Sequence, residues 1–194
     1  MTKLYGNAVV GQSGGPTAAI NATLAGVIRG VLEINQNGGA IGTLYGMRNG
    51  IEGLMQERLI DLCEFAKDAD KLDALELTPA AALGSCRKKL PKHADDPEFY
   101  ETLLAIFKKY DIRYFFYIGG NDSMDTVAKL SEYTKAHDYE MVILGVPKTI
   151  DNDLVGTDHT PGFGSAAKYI AVTTQEIIRD CAVYQVPAVT IIEI

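Results

Sequence analysis

The fold is decided by the stretch Tyr114-Phe115-Phe116-Tyr117-Ile118-Gly119-Gly120-Asn121-Asp122-Ser123, in which an aromatic and apolar run ends in two glycines. The apolar residues 114–118 predict a buried β-strand, and residues 123–136 predict a helix shortly after it. Glycines between a strand and a helix let backbone N–H groups approach phosphate oxygens closely. The stretch therefore predicts an α/β unit with an anion-binding turn.

The same order of strand, glycine turn and helix is predicted near the amino terminus. Residues 8–11 predict a short strand, Gly14 and Gly15 predict a tight turn, and apolar residues at helical spacing predict a helix that ends at Gly38. Pro16 suits the first position of that helix. Such a turn would aim unpaired N–H groups and the positive end of a helix at an anion, with Gly15 as the best candidate for the contact. The alternative is that the glycines only permit a tight turn.

Strands and helices continue to alternate along the chain. Strands are predicted at residues 40–44, 114–118, 142–146 and 188–194, and helices at residues 49–54, 98–110, 123–136 and 165–183. Residues 78–97 predict a loop. The strand at residues 142–146 has no polar side chain and is predicted to be buried on both faces. This alternation predicts one α/β domain over residues 1–194, a doubly wound, Rossmann-like and mostly parallel sheet with helices on both faces.

Composition narrows the range of partners. The 194 residues are 47% hydrophobic and carry a formal net charge of −7, so we expect a substantial core and no nucleic acid or anionic membrane as the main partner. A polyanionic substrate would need clustered cations, which Arg87, Lys88 and Lys89 supply. The three cysteines are far apart and form no C-x-x-C pair, which favours a reducing, cytoplasmic environment. No stretch approaches the roughly 18 apolar residues of a membrane span.

A second block, Pro147-Lys148-Thr149-Ile150-Asp151-Asn152-Asp153, follows the strand predicted at residues 142–146. Closely spaced carboxylates after a strand can hold Mg²⁺ or remove a proton from a hydroxyl group. Lys148 can meet a terminal phosphate as a point charge, and the guanidinium of Arg87 can engage two phosphate oxygens at once. The ordinary alternatives are a turn rich in Asx caps and a solvated surface arginine. Together with the glycine turns, the block favours phosphoryl transfer.

These motifs resemble those of the phosphofructokinase family, specifically its pyrophosphate-dependent branch. The resemblance covers most of the chain and also includes Gly11-Gln12-Ser13-Gly14-Gly15-Pro16-Thr17, Tyr45-Gly46-Met47-Arg48-Asn49-Gly50, Gly84-Ser85-Cys86-Arg87 and Thr157-Asp158-His159-Thr160-Pro161-Gly162-Phe163-Gly164, in the order the family shows them. It implies a phosphofructokinase-like amino-terminal domain. The implied reaction moves a phosphoryl group from pyrophosphate to the 1-hydroxyl of fructose 6-phosphate, with Mg²⁺, to give fructose 1,6-bisphosphate.

The resemblance also implies a role for each site residue. The catalytic residues would be Asp151, as the general base, with Lys148 and Asp122. The remaining assignments are donor contacts by Gly15, Arg87, Gly120 and Asn121, acceptor contacts by Thr149, Ile150 and Asp151, and Mg²⁺ ligation by Asn121 and Asp153. Lys88 and Lys89 are expected to be solvated.

In the resembling family, the residues at three positions distinguish enzymes that use pyrophosphate as the phosphoryl donor from enzymes that use ATP. ATP-using relatives carry Asp and then Gly where this chain has Asn121 and Asp122, and usually Gly where it has Lys148. Asp122 would place volume and negative charge where the inner phosphate of a nucleotide would lie, so ATP is disfavoured. Asn121 keeps an oxygen ligand without the charge of the common aspartate. The alternative for Asn121 and Asp122 is a polar helix cap.

The sequence leaves three alternative functions open. They are an ATP-dependent phosphofructokinase, a lipid or NAD kinase with a similar glycine–aspartate signature, and a non-catalytic phosphate-binding subunit. The resemblance places the sugar-phosphate half of the protein beyond residue 194, so this chain is expected to be a donor-binding fragment with little turnover of its own. For the full-length protein the resemblance implies a homo-oligomer.

Overall fold

The computed structural model describes residues 4–187 and 189–193. At its centre is a five-stranded sheet in the order β3-β2-β1-β4-β5. The strands are β1 (Gly6–Gln12), β2 (Ile41–Met47), β3 (Leu59–Asp61), β4 (Ile112–Gly119) and β5 (Val142–Pro147). All neighbouring pairs are parallel except β2 and β3, which are antiparallel.

Helices cover both faces of this sheet. The helices of the described residues are α1 (Ile20–Gln36), α2 (Gly50–Met55), α3 (Leu62–Phe65), α4 (Ala69–Leu77), α5 (Pro97–Lys109), α6 (Asn121–Ala136) and α7 (Phe163–Cys181), and α1 to α6 supply the layers on the sheet. Buried side chains of α1, α3 and α4 belong to one apolar cluster, and those of α2, α5 and α6 belong to the other. The prediction of a doubly wound, mostly parallel α/β sheet is confirmed.

The central strand β1 shows why the sheet forms here. Ala8 and Val10 belong to the cluster that contains α1, whereas Val9, between them, belongs to the cluster that contains α5. All three are fully buried. A strand that is apolar on both faces is stable only between two layers of helices, as the parallel sheet provides.

Two details of the first half differ from prediction. Helix α1 begins at Ile20, after the N-cap residue Ala19, so Pro16 lies in the preceding loop and does not start the helix. The residues between the glycine turn and Ile20 thus lengthen the loop after β1. Strand β3 was not predicted, because it has three residues and forms only by pairing with the edge of β2.

The prediction that residues 142–146 are buried on both faces is wrong. β5 pairs only with β4 and is the edge strand of the sheet formed by the described residues. Ile143 packs against the cluster of α5 and α6, but Val142 and Leu144 point to the opposite face and are 40% and 48% exposed. Helix α1 packs mainly on β1, β2 and β4, and of β5 only Val146 packs against the cluster that contains α1.

The strand predicted at residues 188–194 is also not observed. Residues 189–193 have no regular secondary structure and are exposed, and Ala188 and Ile194 lie outside the described residues. An apolar run becomes a strand only when its N–H and C=O groups pair with a neighbouring edge. Helix α7, which precedes this run, contains no buried residue. Among the helices of the described chain, none is both long enough and apolar enough to cross a membrane.

Candidate phosphate-binding site

All predicted site residues except Ile150 meet in one cleft at the carboxyl ends of β1, β4 and β5. The chain order of the strands reverses between β1 and β4, and ligands of open α/β sheets bind in the crevice at such a switch point. The cleft has a volume of about 360 Å³ and is lined by Ser13, Gly14, Gly15, Cys86, Arg87, Lys88, Gly120, Asn121, Asp122, Ser123, Lys148, Thr149, Asp151 and Asp153. Asp122 and Asp151 therefore face the same cleft.

A larger cavity, of about 610 Å³, lies beside α6 on the side of Tyr100 and Tyr133. It contains none of the predicted site residues. We therefore treat the smaller, more polar cleft as the candidate functional site.

The glycine turn after β1 is fixed by the loop that carries Arg87. Gly14 has a φ of +77°, a conformation that a side chain would strain. Its N–H donates to the carbonyl of Cys86 at 3.0 Å, and the hydroxyl of Ser85 donates to its carbonyl. A Cβ atom on Gly15 would lie 3.7 Å from Nη2 of Arg87. The glycine turn and the guanidinium therefore lie on the same side of the cleft.

Lys148 connects the loop after β5 to the turn after β1. The residue is 3% exposed, and its Nζ atom donates a hydrogen bond to the carbonyl oxygen of Gly15. Burial lowers the pKa of the Lys148 ammonium, the Asp151 carboxylate opposes this effect, and the Arg87 guanidinium adds to it. A buried cation with one carbonyl partner has hydrogen-bonding capacity left for an anion, because an ammonium has three donors.

The amino terminus of α6 forms the third side of the cleft. Gly120 is the N-cap residue and no side chain caps the helix, so Asn121 and Asp122 occupy its first turn and the alternative that they serve as caps is wrong. A Cβ on Gly119 would collide with Ser123, which explains the first glycine of the pair as a packing requirement. The free N–H groups and the helix dipole favour an anion at this position.

Asp122 forms an ion pair with one of the three clustered cations at residues 87–89. Its Oδ1 atom lies 3.0 Å from Nζ of Lys89, and both side chains are largely exposed. Lys88 also lines the cleft, but its Nζ lies 4.8 Å from the ring centre of Phe99. Exposure of Lys89 was expected, but its ion pair with Asp122 was not. No sequence pattern signals this pair, because it joins a loop residue to a helix in another part of the chain.

The loop after β5 is hydrogen-bonded to the residues just before α7. The hydroxyl of Thr160 donates to the carbonyl of Thr149 at 2.8 Å, and the N–H of Thr149 donates to the carbonyl of Pro161 at 3.1 Å. The hydroxyl of Thr149 accepts the N–H of Asp151 at 3.1 Å. Thr149 and Asp151 line the cleft, whereas Ile150 does not and is 42% exposed.

The two residues predicted to hold a metal ion, Asn121 and Asp153, lie next to each other. Nδ2 of Asn121 donates to Oδ2 of Asp153 at 2.7 Å. Among the described residues, no group of three or more His, Cys, Asp or Glu side chains is placed to hold a metal ion. Mg²⁺ usually keeps several waters and takes one or two carboxylates together with substrate phosphates. One carboxylate and one amide beside a phosphate-sized cleft fit Mg²⁺ in that mode.

Sequence reasoning missed part of the cleft lining. Ser13 and Ser123 both face the cleft, and Ser13 also donates from its hydroxyl to the carbonyl of Cys86. Both serines lie within the glycine motifs quoted above. Their place in those motifs is the signal that could have identified them.

A glycine turn, a helix amino terminus and a buried lysine around one cleft are the features of a phosphate-binding site in a doubly wound α/β protein. A sequence profile described as Phosphofructokinase matches residues 7–194. The chain belongs to the phosphofructokinase family.

Within that family the chain is similar to pyrophosphate-dependent proteins. It is 49% identical over 177 residues to a pyrophosphate–fructose 6-phosphate 1-phosphotransferase of Xanthomonas campestris, covering 91% of this chain and 40% of that relative. The corresponding protein of Halomonas elongata is 47% identical, with coverage of 91% and 41%. A crystal structure of a pyrophosphate-dependent phosphofructokinase from Nitrosospira multiformis is 47% identical with a TM-score of 0.80, covering 91% of this chain and 42% of that one. The chain thus spans about 40% of the length of the curated relatives it matches.

Proposed function

We propose that this chain carries the donor site of an enzyme that transfers a phosphoryl group from pyrophosphate to the 1-hydroxyl of fructose 6-phosphate. The observation that carries the proposal is the presence of Lys148 and Asp122 in the same cleft as the glycine turn. Lys148 supplies a buried positive charge for a terminal phosphate. Asp122 places a carboxylate where a longer phosphate chain would extend, which favours a short donor.

The donor would be bound mainly by backbone groups and cations. Gly15 and Gly120 would contact the phosphate oxygens through their N–H groups, while Arg87 and Lys148 would neutralise charge that develops during transfer. Asn121 would contact the donor as well. Phosphoryl transfer requires little covalent chemistry from the protein, so placement and charge compensation supply most of the catalysis.

The acceptor would approach from the loop after β5. Asp151 would accept the proton of the 1-hydroxyl as that oxygen attacks the phosphorus atom, and the bond from phosphorus to the bridging oxygen would break to release orthophosphate. Thr149 and Ile150 would contact the sugar phosphate. Ile150 has the weakest support, because its side chain lies outside the cleft lining. Asp153 and Asn121 would hold Mg²⁺, which when bound neutralises negative charge on the donor.

Binding measurements on this chain test the donor assignment directly. Isothermal titration calorimetry with pyrophosphate and with ATP, each with Mg²⁺, should show tighter binding of pyrophosphate. The double variant Asp122→Gly, Lys148→Gly should lose this preference, because it removes both the blocking carboxylate and the terminal-phosphate cation. Tighter binding of ATP to the unmodified protein would contradict the assignment and favour an ATP-dependent phosphofructokinase.

The cellular compartment, the assembly state and the substrates of the enzyme belong to the same proposal. We infer a cytoplasmic enzyme that works as a homo-oligomer, with pyrophosphate and fructose 6-phosphate as its small-molecule partners. Free thiols at all three cysteines are compatible with a reducing compartment. Analytical ultracentrifugation of the purified protein tests the oligomer.

A further inference from the structure

The loop between α4 and α5, residues 78–96, carries Arg87 to the cleft without forming a helix or strand of its own. Backbone N–H and C=O groups that leave water need partners, and a loop outside any ladder must find them among side chains or other loops. The position of Arg87 therefore depends on what holds this loop.

Two buried amide side chains hold the first part of the loop. Gln12 is the last residue of β1 and Asn21 lies in the first turn of α1, and they are 0% and 1% exposed. Oε1 of Gln12 accepts the N–H of Leu83 at 2.9 Å. Oδ1 of Asn21 accepts the N–H of Ala82 at 2.8 Å, and its Nδ2 donates to the carbonyl of Thr78 at 2.9 Å. Three backbone groups of the loop are thus bound by two side chains.

The two amides also fix each other. Nε2 of Gln12 donates to Oδ1 of Asn21 at 3.0 Å and to the carbonyl of Ile20 at 3.2 Å. Each amide therefore both donates and accepts, and a side chain that can do only one of these could not replace it. Because an unpaired buried polar group is costly, the pair favours this one path of the loop.

This path brings Arg87 beside the glycine turn. Gln12 directly precedes the turn that contains Gly14 and Gly15, and the N–H of Gly14 donates to the carbonyl of Cys86 in the loop at 3.0 Å. Nη2 of Arg87 lies 3.7 Å from the position of a Cβ atom on Gly15. The side chain at the end of β1 thus holds the loop that faces the turn.

We propose that Gln12 and Asn21 are positioning residues for Arg87, because they hold its loop in the donor-binding arrangement before the donor arrives. Neither side chain lines the cleft, so neither contacts the donor. A guanidinium binds two phosphate oxygens only in a defined geometry, and holding the loop in advance avoids the entropic cost of ordering it on binding. This inference rests on the proposed function, in which Arg87 contacts pyrophosphate.

Gln12→Met tests the proposal in calorimetric titrations with pyrophosphate and Mg²⁺. Methionine is similar in length to glutamine but offers no strong donor or acceptor, so it releases the N–H of Leu83. We expect the dissociation constant to rise about 10-fold, as for the weakening of one charged hydrogen bond. Asn7→Leu is the matched control, because Asn7 holds the N–H of Thr43 and the carbonyl of Tyr110 from the other end of β1. It should bind pyrophosphate like the unmodified protein.

Arg87→Met shows whether the loss acts through Arg87. In protein that already carries Arg87→Met, adding Gln12→Met should weaken pyrophosphate binding by less than about 2-fold, because the guanidinium that Gln12 positions is gone. General destabilisation would instead lower the affinity equally with and without Arg87. Circular dichroism and thermal unfolding check that every variant is folded at the temperature of the titration.

Hydrogen exchange in the unmodified protein keeps the test independent of how the variants fold. With no pyrophosphate present, the N–H groups of Leu83 and Ala82 should exchange as slowly as that of Thr43, which Asn7 holds in the same way. Rapid exchange of the two loop N–H groups in the absence of pyrophosphate would mean that the amide pair does not hold the loop, and would overturn the inference.

The outcomes separate this inference from the proposed function. Unchanged pyrophosphate affinity in Gln12→Met, or an equal loss in Asn7→Leu, would overturn the inference. The same loss from Gln12→Met with and without Arg87 would overturn it too, as would normal pyrophosphate binding by Arg87→Met. Failure of the unmodified protein to bind pyrophosphate, while the N–H groups of Leu83 and Ala82 exchange slowly, would instead refute the proposed function.

Discussion

The ammonium of Lys148 donates a hydrogen bond to the carbonyl of Gly15, across 133 positions of sequence. This bond fixes the glycine turn after β1 to the loop after β5. Lys148 is buried, so its charge is poorly hydrated and interacts strongly with whatever enters the cleft. One side chain thus shapes the glycine turn and supplies positive charge for an anion.

Replacing Lys148 with methionine should weaken pyrophosphate binding. Charged hydrogen bonds contribute about 1.5–3 kcal/mol, so we expect the dissociation constant to rise by about 10- to 150-fold. Calorimetric titration measures the change. Lys168→Met, on the exposed surface of α7, is the matched control and should bind pyrophosphate normally. Equal losses in the two variants would mean that only net charge matters.

The same lysine should make stability depend on pH. Burial lowers its pKa below the ordinary 10.5, so the folded protein holds this proton less tightly than the unfolded chain does. Between the lowered pKa and 10.5 the unfolded state binds more protons, and the free energy of unfolding therefore rises with pH. Below that interval the destabilisation by the buried charge is fully present.

Denaturant titrations of the unmodified protein and of Lys148→Met, repeated from about pH 8 upward, should reveal this contribution. The unmodified protein should gain stability relative to the variant as the pH rises toward 10.5. Other groups titrate in both proteins and cancel in the difference. A difference that stays constant over the interval would show that the pKa of Lys148 is not lowered.

The two glycines of the first turn should respond differently to alanine. Gly14 has a positive φ, so Gly14→Ala should lower the free energy of unfolding by about 1–2 kcal/mol. Gly15→Ala has ordinary van der Waals room beside Arg87 and should change stability by less than about 1 kcal/mol. It should nevertheless weaken pyrophosphate binding, because the new methyl group faces the cleft.

Thermal unfolding and calorimetric titration of both alanine variants distinguish these effects. A folded Gly15→Ala with unchanged pyrophosphate affinity would place the donor away from this turn. Equal destabilisation by the two substitutions would indicate that the backbone strain is not specific to Gly14.

Local patterns were sufficient for most of the fold, but partners distant in sequence decided the rest. The apolar run of β4 and its two glycines predicted a strand, a turn and a helix, and the structure contains all three. Exposure of Val142 and Leu144 could not be read from their own sequence, because it depends on which helix covers β5. Residues 189–193 are rich in β-branched side chains, a composition typical of a strand, but they lack a paired edge.

In the candidate site, too, local sequence predicted some features, and contacts between residues distant in sequence decided the others. The glycine turns and the block after β5 predicted which residues share the cleft, since parallel strands end at one edge of the sheet. The contacts of Asp122 with Lys89 and of Asn121 with Asp153 depend on how two loops meet the first turn of α6. No periodicity or spacing encodes such contacts.

Exposed apolar side chains of α7 should contribute to association of the protein rather than to its stability. Tyr169 and Val172 are 71% and 50% exposed, so replacing both with serine should change the free energy of unfolding by less than about 1 kcal/mol. Static light scattering should show less self-association, because exposed apolar area is reduced. Leu24→Ala, at a position 1% exposed, is the contrasting variant and should cost about 2–5 kcal/mol. A comparable loss in the serine variant would mean that α7 packs against the domain in solution, since only buried side chains lose that much when truncated.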